Sequence, residues 1–403
     1  MTRHEFTTPA THGDSTPAPD DRRVLISGAG IAGTVLAHLL ARAGLRVTVV
    51  EYAPGVRTGG NAVDLRGAAV DVVAAMGVLD PVRAQQTGNG AMHRIDREGD
   101  TIAMLPAEAI AGDVELPRGD LNAILLGAAQ DGVEYLFGDT VTALADTGDD
   151  VRVTFDSGAR RTFDLVVGAD GLHSRTRSLA FGPETDFVRH LGCYQGHFTM
   201  PNTLGLDRTG LLLNLPGRTL GCYTVHDNRD LVVGWFFRSE SLTYDRRDIA
   251  AQQRLVAEAF TGLGWKVPEL VDAMHRSTDF YFDPISQVVM DGMHRGRIVL
   301  AGDAAHAPSL LSGVGATLAI VGAAVLAEEI ISSPDDAEAA FARYEKRINE
   351  MVTLGRELAV RSKDWFVFAE GAGDHRISQA EEDRVHALRE DVVTAANRAC
   401  PQV

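Results

Sequence analysis

A glycine-rich turn near the start of the chain places the strongest constraint on its fold. Gly28-x-Gly30-x-x-Gly33 directly follows a short β-type run, and the next residues, Thr34–Ala43, have the apolar spacing of a helix. Leu45–Val50 is typical of a second strand. A strand, a glycine turn, a helix and a strand in this order predict a βαβ unit that opens a parallel sheet.

The same turn indicates a dinucleotide ligand. Glycines allow backbone N–H groups to approach a pyrophosphate, and the following helix adds partial positive charge at its N-terminus. Glu51 ends the second strand. A carboxylate there accepts hydrogen bonds from ribose hydroxyls and repels a 2′-phosphate. These residues alone leave NAD and FAD open.

Composition excludes several classes of function. The 403 residues carry a net charge of -17, which argues against nucleic acid or an anionic membrane as a partner. The three cysteines show no zinc spacing and no disulfide framework, so we expect no metal and a reducing, cytoplasmic location. The apolar run Val314–Leu326 is too short to cross a bilayer.

The order of strand-like and helical segments along the chain predicts an α/β fold. It would have a Rossmann-like dinucleotide-binding domain, an inserted antiparallel-sheet substrate domain and C-terminal helices. We predict a disordered tail over residues 1–21. The limits that we predict are 22–88, 112–180 and 283–330 for the dinucleotide domain, 89–111 and 181–282 for the substrate domain, and 331–403 for the helical region.

Two later motifs narrow the choice of cofactor. Gly168-Ala169-Asp170-Gly171 follows a strand, and Ser174 and Arg177 complete the pattern D-G-x-x-S-x-x-R. Gly302-Asp303-Ala304-Ala305-His306 follows another strand. With these three motifs, residues 22–330 resemble the single-component FAD-dependent aromatic hydroxylases, and most closely the tetracycline-inactivating monooxygenases.

The resemblance implies FAD as the bound cofactor and NADPH as a transient reductant. By this resemblance, Asp303 would bind ribityl or ribose hydroxyls of FAD, and Arg118 would contact FAD. Asp170 would take part in binding both FAD and the pyridine nucleotide. Asp64 would contact the flavin and Arg57 the nicotinamide cofactor, near Gly59-Gly60-Asn61. The predicted cofactor contacts are Gly28, Gly30, Ala32, Gly33, Glu51, Arg57, Asp64, Arg118, Asp170, Asp303, Gly313 and Gly315.

The chain departs from this family after its third motif. The usual Gln and Asn have become Val314 and Thr317, and a later Asp has become Gly322. The helix start and its glycines remain, so we expect flavin binding to survive. We expect a structural rather than a catalytic role for His306.

The inserted sheet should face the flavin and line a pocket for a bulky aromatic or polyketide-like small molecule. Because alternate residues of a strand share a face, Gln195 and His197 should point together, as should Trp235 and Phe237. The predicted substrate contacts are Gln195, His197, Tyr223, Trp235, Phe237 and Arg238.

The resulting hypothesis is an FAD-dependent monooxygenase that hydroxylates its substrate with NAD(P)H and O₂ through a flavin C4a-hydroperoxide. The cofactor would carry the chemistry, so we name no catalytic side chain. The altered run at 309–317 keeps an alternative open: a natural-product cyclase that uses FAD structurally. We expect a monomer or a weak dimer.

Overall fold

The computed structural model describes residues 21–55, 59–106, 111–369 and 379–400. Four sheets organise them, and each follows from a run of apolar or alternating residues. The strands are β1 (Arg23–Ser27), β2 (Arg46–Glu51), β3 (Ala62–Leu65), β4 (Ala91–Ile95), β5 (Thr101–Pro106), β6 (Val114–Pro117), β7 (Val133–Phe137), β8 (Val141–Asp146), β9 (Val151–Phe155), β10 (Arg160–Phe163), β11 (Leu165–Gly168), β12 (Val188–Pro201), β13 (Thr209–Leu215), β14 (Arg218–Val225), β15 (Asp230–Arg238), β16 (Tyr281–Val288), β17 (His294–Arg295) and β18 (Ile298–Leu300).

Helices cover these sheets. They are α1 (Ile31–Arg42), α2 (Ala68–Ala75), α3 (Leu79–Ala84), α4 (Arg118–Ala128), α5 (Arg175–Ala180), α6 (Ile249–Ala259), α7 (Val267–Arg276), α8 (Asp303–His306), α9 (Gly315–Ser332), α10 (Ala337–Phe366) and α11 (Gln379–Ala399), with short 3₁₀ turns at Glu184–Asp186 and Leu310–Ser312.

The predicted parallel sheet is present and has the strand order β17-β18-β11-β1-β2-β7. Strands β18, β11, β1, β2 and β7 run parallel, and β17 joins the edge antiparallel. Their apolar residues are buried because helices pack over the sheet. The order places β1 beside β11 and β11 beside β18. The loops that follow these three strands, which carry the three motifs, therefore meet at one edge.

The second large sheet has the order β16-β12-β15-β14-β13-β4-β5. Its neighbouring strands are antiparallel, except that β4 runs parallel to β13. One face packs against α6 and α7 through a core that includes Phe198, Trp235 and Phe260. The other face turns toward the parallel-sheet domain, as contacts from Gln195 and Tyr223 to residues 61 and 62 show. The mixed α/β class is confirmed, while the exact domain limits stay a prediction.

Helix α9 lies in the core of the molecule. It packs against α1, α2 and α10, and most of its residues are buried. It is the one described helix with the length and apolarity needed to cross a bilayer, but its burial marks it as a core helix. Helices α10 and α11 pack together and complete this core with Phe341, Tyr344 and Val392.

Candidate active site

Two glycines bring the three motif loops into contact. Gly28 has a φ of 106°, and a Cβ there would lie 2.5 Å from the carbonyl oxygen of Ala169, so the first loop presses directly on the second. Gly302 has a φ of 57°, and a Cβ there would lie 2.8 Å from the Cβ of Ala32. The third loop therefore presses on α1. Only glycine fits these positive φ values at such short distances.

Gly30 has a different part in the turn. Its φ of -79° is open to any residue, and a Cβ there would meet nothing within 4 Å. It caps the N-terminus of α1 without any side-chain hydrogen bond. Gly33, one turn along, lies so close to the carbonyl of Gly28 that a side chain cannot fit. The turn thus offers open space in front of uncapped N–H groups, which suits an anion such as pyrophosphate.

Glu51 is fixed beside this turn. One of its oxygens accepts a hydrogen bond from the N–H of Ala29 at 2.9 Å, and the other accepts one from Ala53 at 2.8 Å. Each carboxylate oxygen retains a further lone pair. The side chain is therefore held where the sequence predicts it and can still accept hydrogen bonds from ribose hydroxyls.

Asp303 and Arg118 lie near each other and near Tyr281 of the second sheet, in the space between the two domains that we call the cleft. Asp303 is exposed, yet the surrounding protein desolvates its carboxyl. This desolvation raises the pKa of Asp303, although the positive charge of Arg118 acts to lower it. A group that is both accessible and desolvated belongs to the wall of a recess. Among the described residues no side chain pairs with the guanidinium of Arg118, whose backbone N–H donates to the carbonyl of Asn61.

Asp64 closes this cleft on the side of α9. It accepts a hydrogen bond from the N–H of Gly112 and pairs with Arg66 at 3.2 Å, while burial raises the pKa of its carboxyl. A Cβ at Gly313 would lie 3.9 Å from its Oδ2. Helix α9 begins at Gly315, and no side chain caps it.

Thr317 explains how the chain tolerates one of its departures. Its hydroxyl accepts a hydrogen bond from the N–H of Arg66 and donates one to the carbonyl of Asp64, both at 3.1 Å. It thereby ties the end of β3 to the first turn of α9. The geometry that places Asp64 before this helix N-terminus is kept without the family's asparagine.

Asp170 organises its own loop. Its carboxylate accepts hydrogen bonds from the Ser174 hydroxyl and from the N–H and hydroxyl of Thr176. Buried Arg177 then donates to the carbonyl of Ala304, which joins the second motif to the third. A direct contact between Asp170 and a cofactor stays a prediction. Arg57 lies outside the described residues.

The cleft-facing side of the second sheet carries half of the predicted substrate contacts. The amide of Asn61 lies 3.4 Å from both Gln195 Oε1 and His197 Nδ1, and the hydroxyl of Tyr223 accepts a hydrogen bond from Ala62 at 2.7 Å. Burial lowers the pKa of His197 to about 4, so its imidazole is neutral at pH 7. These side chains present uncharged donors and acceptors.

The predictions for Trp235, Phe237 and Arg238 are wrong. Trp235 and Phe237 do share a face, but it is the face that packs against α6 and α7, and Trp235 is 0 % exposed. The residues of this strand alternate between the two faces as predicted, but Trp235 and Phe237 lie on the face opposite to the one that lines the cleft. Arg238 instead binds Asp364 and the carbonyl of Val367, so it anchors the end of α10.

Tyr281 was missed by the sequence reasoning. Its ring lies 5.0 Å from that of His197, and it is 40 % exposed on the cleft side of β16. The signal was available in the pattern Tyr281-Phe282-Asp283, whose alternation puts the tyrosine and the aspartate on the face opposite to Phe282.

Comparison with known proteins identifies the family. A model of the FAD-binding domain family matches residues 21–347. This chain belongs to that family. An uncharacterized protein of Mycobacterium tuberculosis is 40% identical over 378 residues, which cover 91% of this chain and 98% of the relative.

A flavin-dependent monooxygenase from an unknown prokaryotic organism is 37% identical over 353 residues, covering 87% of this chain and 91% of that protein. The crystal structure of the tetracycline destructase Tet(51) matches with a TM-score of 0.84 at 30% identity, and covers 94% of this chain and 98% of that one. The chain is therefore an FAD-dependent monooxygenase of this family, as the motifs predicted.

The described residues fit FAD. The glycine turn offers open space before the uncapped N-terminus of α1, Glu51 has free lone pairs, and Arg118 and Asp303 face one cleft. These groups match a pyrophosphate, a ribose and a ribityl chain in chemistry. Helix α9 adds a second uncapped N-terminus, which suits negative charge on a reduced flavin.

Proposed function

We propose that this chain uses NAD(P)H and O₂ to hydroxylate a bulky polycyclic molecule that carries hydroxyl or carbonyl groups. The observation that supports this most is the face formed by Gln195, His197, Tyr223 and Tyr281, which covers the cleft lined by Arg118 and Asp303. FAD bound there would supply the redox chemistry. The protein would orient the substrate against the flavin and exclude water.

The uncharged side chains on this face favour this substrate class. Neutral His197 both donates and accepts, and Gln195 and Asn61 offer amide groups, so enols, phenols and ketones find partners without an ion pair. The Tet(51) likeness at 30% identity supports tetracycline-like compounds as the first to test. NADPH rather than NADH is proposed by family resemblance alone.

The test is an assay of the FAD-loaded protein with NADPH in air against aromatic polyketides that include tetracycline. We expect a substrate-stimulated oxidation of NADPH and a product that has gained one oxygen atom. His197→Ala should lower kcat/KM about ten-fold by removing a group that positions the substrate. His93→Ala is a matched control, because His93 pairs with Leu211 on the face turned away from the cleft.

The proposal fails if none of these compounds stimulates NADPH oxidation, or if His197→Ala and His93→Ala behave alike. FAD content and circular dichroism of both variants should match the wild type, so that a loss of activity reports on the cleft.

A further inference from the structure

A histidine at the tip of the second sheet contacts the FAD-binding domain. His226 begins the turn between β14 and β15, and its Nδ1 lies 2.9 Å from Oδ2 of Asp230 on the same hairpin. Its Nε2 lies 3.0 Å from Oδ2 of Asp120, in the first turn of α4. The imidazole therefore lies between a carboxylate of its own sheet and a carboxylate of the other domain.

Both contacts together require a charged imidazole. An ionised carboxylate only accepts hydrogen bonds, so each ring nitrogen of His226 must carry a hydrogen, and this is true of the imidazolium alone. In the neutral ring, one nitrogen presents a lone pair to a carboxylate oxygen, and that contact becomes repulsive. Because histidine is the side chain that changes charge between pH 5 and 8, this contact between the domains depends on pH in that range.

The charged groups around the ring belong to three elements. Asp120 faces it from α4 and Asp230 faces it from β15, and Asp230 also accepts a hydrogen bond from Arg229 at 3.0 Å. In the turn itself, Asp227 pairs with Arg208 at 3.5 Å. Among the described residues, the groups that touch the ring are thus both acceptors, while the two arginines bind carboxylates beside it.

The backbone of this turn has an unusual conformation. His226, Asp227 and Asn228 have φ values of 51°, 53° and 66°, in the left-handed region that residues other than glycine rarely adopt. The side chain of Asn228 accepts a hydrogen bond from the N–H of Arg208 and donates one to Asp207. Such a run persists only where its surroundings hold it, so we expect the turn to relax when the contact with α4 is lost.

The helix end that His226 contacts also carries Arg118. Helix α4 begins at Arg118, two residues before Asp120, and the N–H of Arg118 donates to the carbonyl of Asn61 at 3.1 Å. The guanidinium of Arg118 acts on Asp303 in the cleft and is predicted to contact FAD. The contact made by His226 therefore fixes the element that supplies the arginine of the cleft.

We propose that His226 is a pH-dependent latch between the two domains. As an imidazolium it holds the β14–β15 hairpin against α4, which keeps Arg118 in place for FAD and closes this end of the cleft. As the pH rises and the ring loses its proton, the hairpin separates from α4 and FAD exchanges with the solution more readily. The latch goes beyond the hydroxylation proposed above, because it requires only bound FAD and would act with any substrate.

The experiment measures how fast FAD leaves the loaded protein at pH 6 and at pH 8, from the rise in FAD fluorescence after dilution. The wild type should release FAD about four-fold faster at pH 8. The effect is modest because the three side chains are 21–32% exposed and solvent screens their charges. His226→Gln should release FAD fast at both pH values. His226→Lys stays charged and should release FAD slowly at both.

Two further variants separate the latch from other effects of pH. His294→Gln is the matched control, because His294 also pairs with a carboxylate, that of Glu345, but lies on β17 at the edge of the parallel sheet. It should keep the pH dependence of the wild type. Asp120→Asn removes the charge from the other domain and should behave like His226→Gln, so the test does not depend on the folding of one variant.

Hydrogen exchange of residues 226–229, corrected for the intrinsic effect of pH, reports the hairpin directly. Protection should be lower at pH 8 than at pH 6 in the wild type and equal at both pH values in His226→Lys. The latch is overturned if the wild type releases FAD at the same rate at both pH values, or if His226→Gln and Asp120→Asn keep its full pH dependence. Equal protection of the wild-type hairpin at both pH values would overturn it as well.

Discussion

At the scale of single residues, the site combines a few charged groups with many neutral ones. Glu51 is held by two backbone N–H groups, whereas no described side chain pairs with the guanidinium of Arg118, whose charge acts on Asp303 from a distance. A carboxylate fixed by the backbone keeps its position whether or not a ligand is present, because the loop that it orients is part of the fold. This makes Glu51 the clearest single-residue test of the ribose contact.

Glu51→Arg should abolish FAD binding, because it removes the acceptor for the ribose hydroxyls and the two bonds that fix the turn. Glu51→Gln is the control: it keeps an acceptor oxygen and similar size, so FAD occupancy should fall only in part. The measurement is FAD released per chain after denaturation of the purified protein. Full occupancy in Glu51→Arg would refute the assigned contact.

The residues that sequence reasoning predicted best were those whose motif fixes the backbone. The positions around Gly28, Asp170 and Asp303 meet at one edge because adjacent parallel strands end there. Trp235 and Phe237 were misplaced, since alternation fixes which residues share a face but not which face meets the ligand. Tyr281 and His226 went unnoticed because contacts between distant elements leave no local pattern.

At the scale of elements, the turn between β1 and α1 separates two uses of glycine. Gly28 is needed for the fold, since its positive φ and the close approach of Ala169 exclude a side chain. Gly30 faces open space and has an ordinary φ, so the fold itself does not exclude a side chain there, whereas a ligand bound in front of the turn would. The two can be told apart by the same substitution.

Gly30→Ala should leave the melting temperature of the FAD-free protein nearly unchanged but weaken FAD binding at least ten-fold, because the added methyl fills the approach to the pyrophosphate. Gly28→Ala should lower the free energy of unfolding by about 1–3 kcal/mol from backbone strain, and by more from the clash with Ala169. Thermal denaturation and fluorescence titration with FAD measure both. Equal destabilisation by the two variants would contradict this assignment.

The link between β3 and α9 depends on one hydroxyl. Thr317→Val removes it at nearly constant volume and leaves the N–H of Arg66 and the carbonyl of Asp64 without their partner. We expect a loss of about 1–3 kcal/mol in the free energy of unfolding, and weaker FAD binding as Asp64 shifts. Thr317→Ser keeps the hydroxyl and should retain most of both. Denaturant unfolding of the three proteins decides, and a Thr317→Val protein as stable as the wild type would speak against this link.

At the scale of the whole molecule, buried histidines give the fold a preferred pH range. Burial lowers the pKa of His306 to about 4, below its value of about 6.5 in an unfolded chain, so acid favours unfolding. The pKa of His173 shifts in the opposite direction: although burial acts to lower it, hydrogen bonds to Asp283 and Glu184 raise it to about 9. Its contribution is complete below pH 6.5 and is lost as the pH rises through 9.

Stability should therefore fall on both sides of pH 6.5. On the acid side the His306 contribution is lost between pH 6.5 and 4 and amounts to at most about 3 kcal/mol. His306→Leu should make the acid side less steep, with the similar contribution of His197 remaining, and without great loss at neutral pH, since neither ring nitrogen of His306 has a partner in the described structure. His173→Gln should flatten the alkaline side. Unfolding in guanidinium at a series of pH values tests both, and unchanged slopes would refute the assignments.

The overall architecture was more predictable than the substrate site. A βαβ unit, two further motifs after strands and a stretch of alternating strands were enough to anticipate two sheets with a cleft between them. The face that lines the cleft depends on how β12, β15 and β16 register against each other, and that is a property of the assembled sheet.

The central claim is that FAD in this cleft oxygenates a substrate, and labelled oxygen tests it most directly. The FAD-loaded protein, NADPH and a substrate found in the polyketide assay are incubated under ¹⁸O₂. We expect a product with one ¹⁸O atom for each NADPH consumed. A product that forms without NADPH consumption, or without the label, would contradict oxygenation and favour an enzyme that uses its flavin only as a structural element.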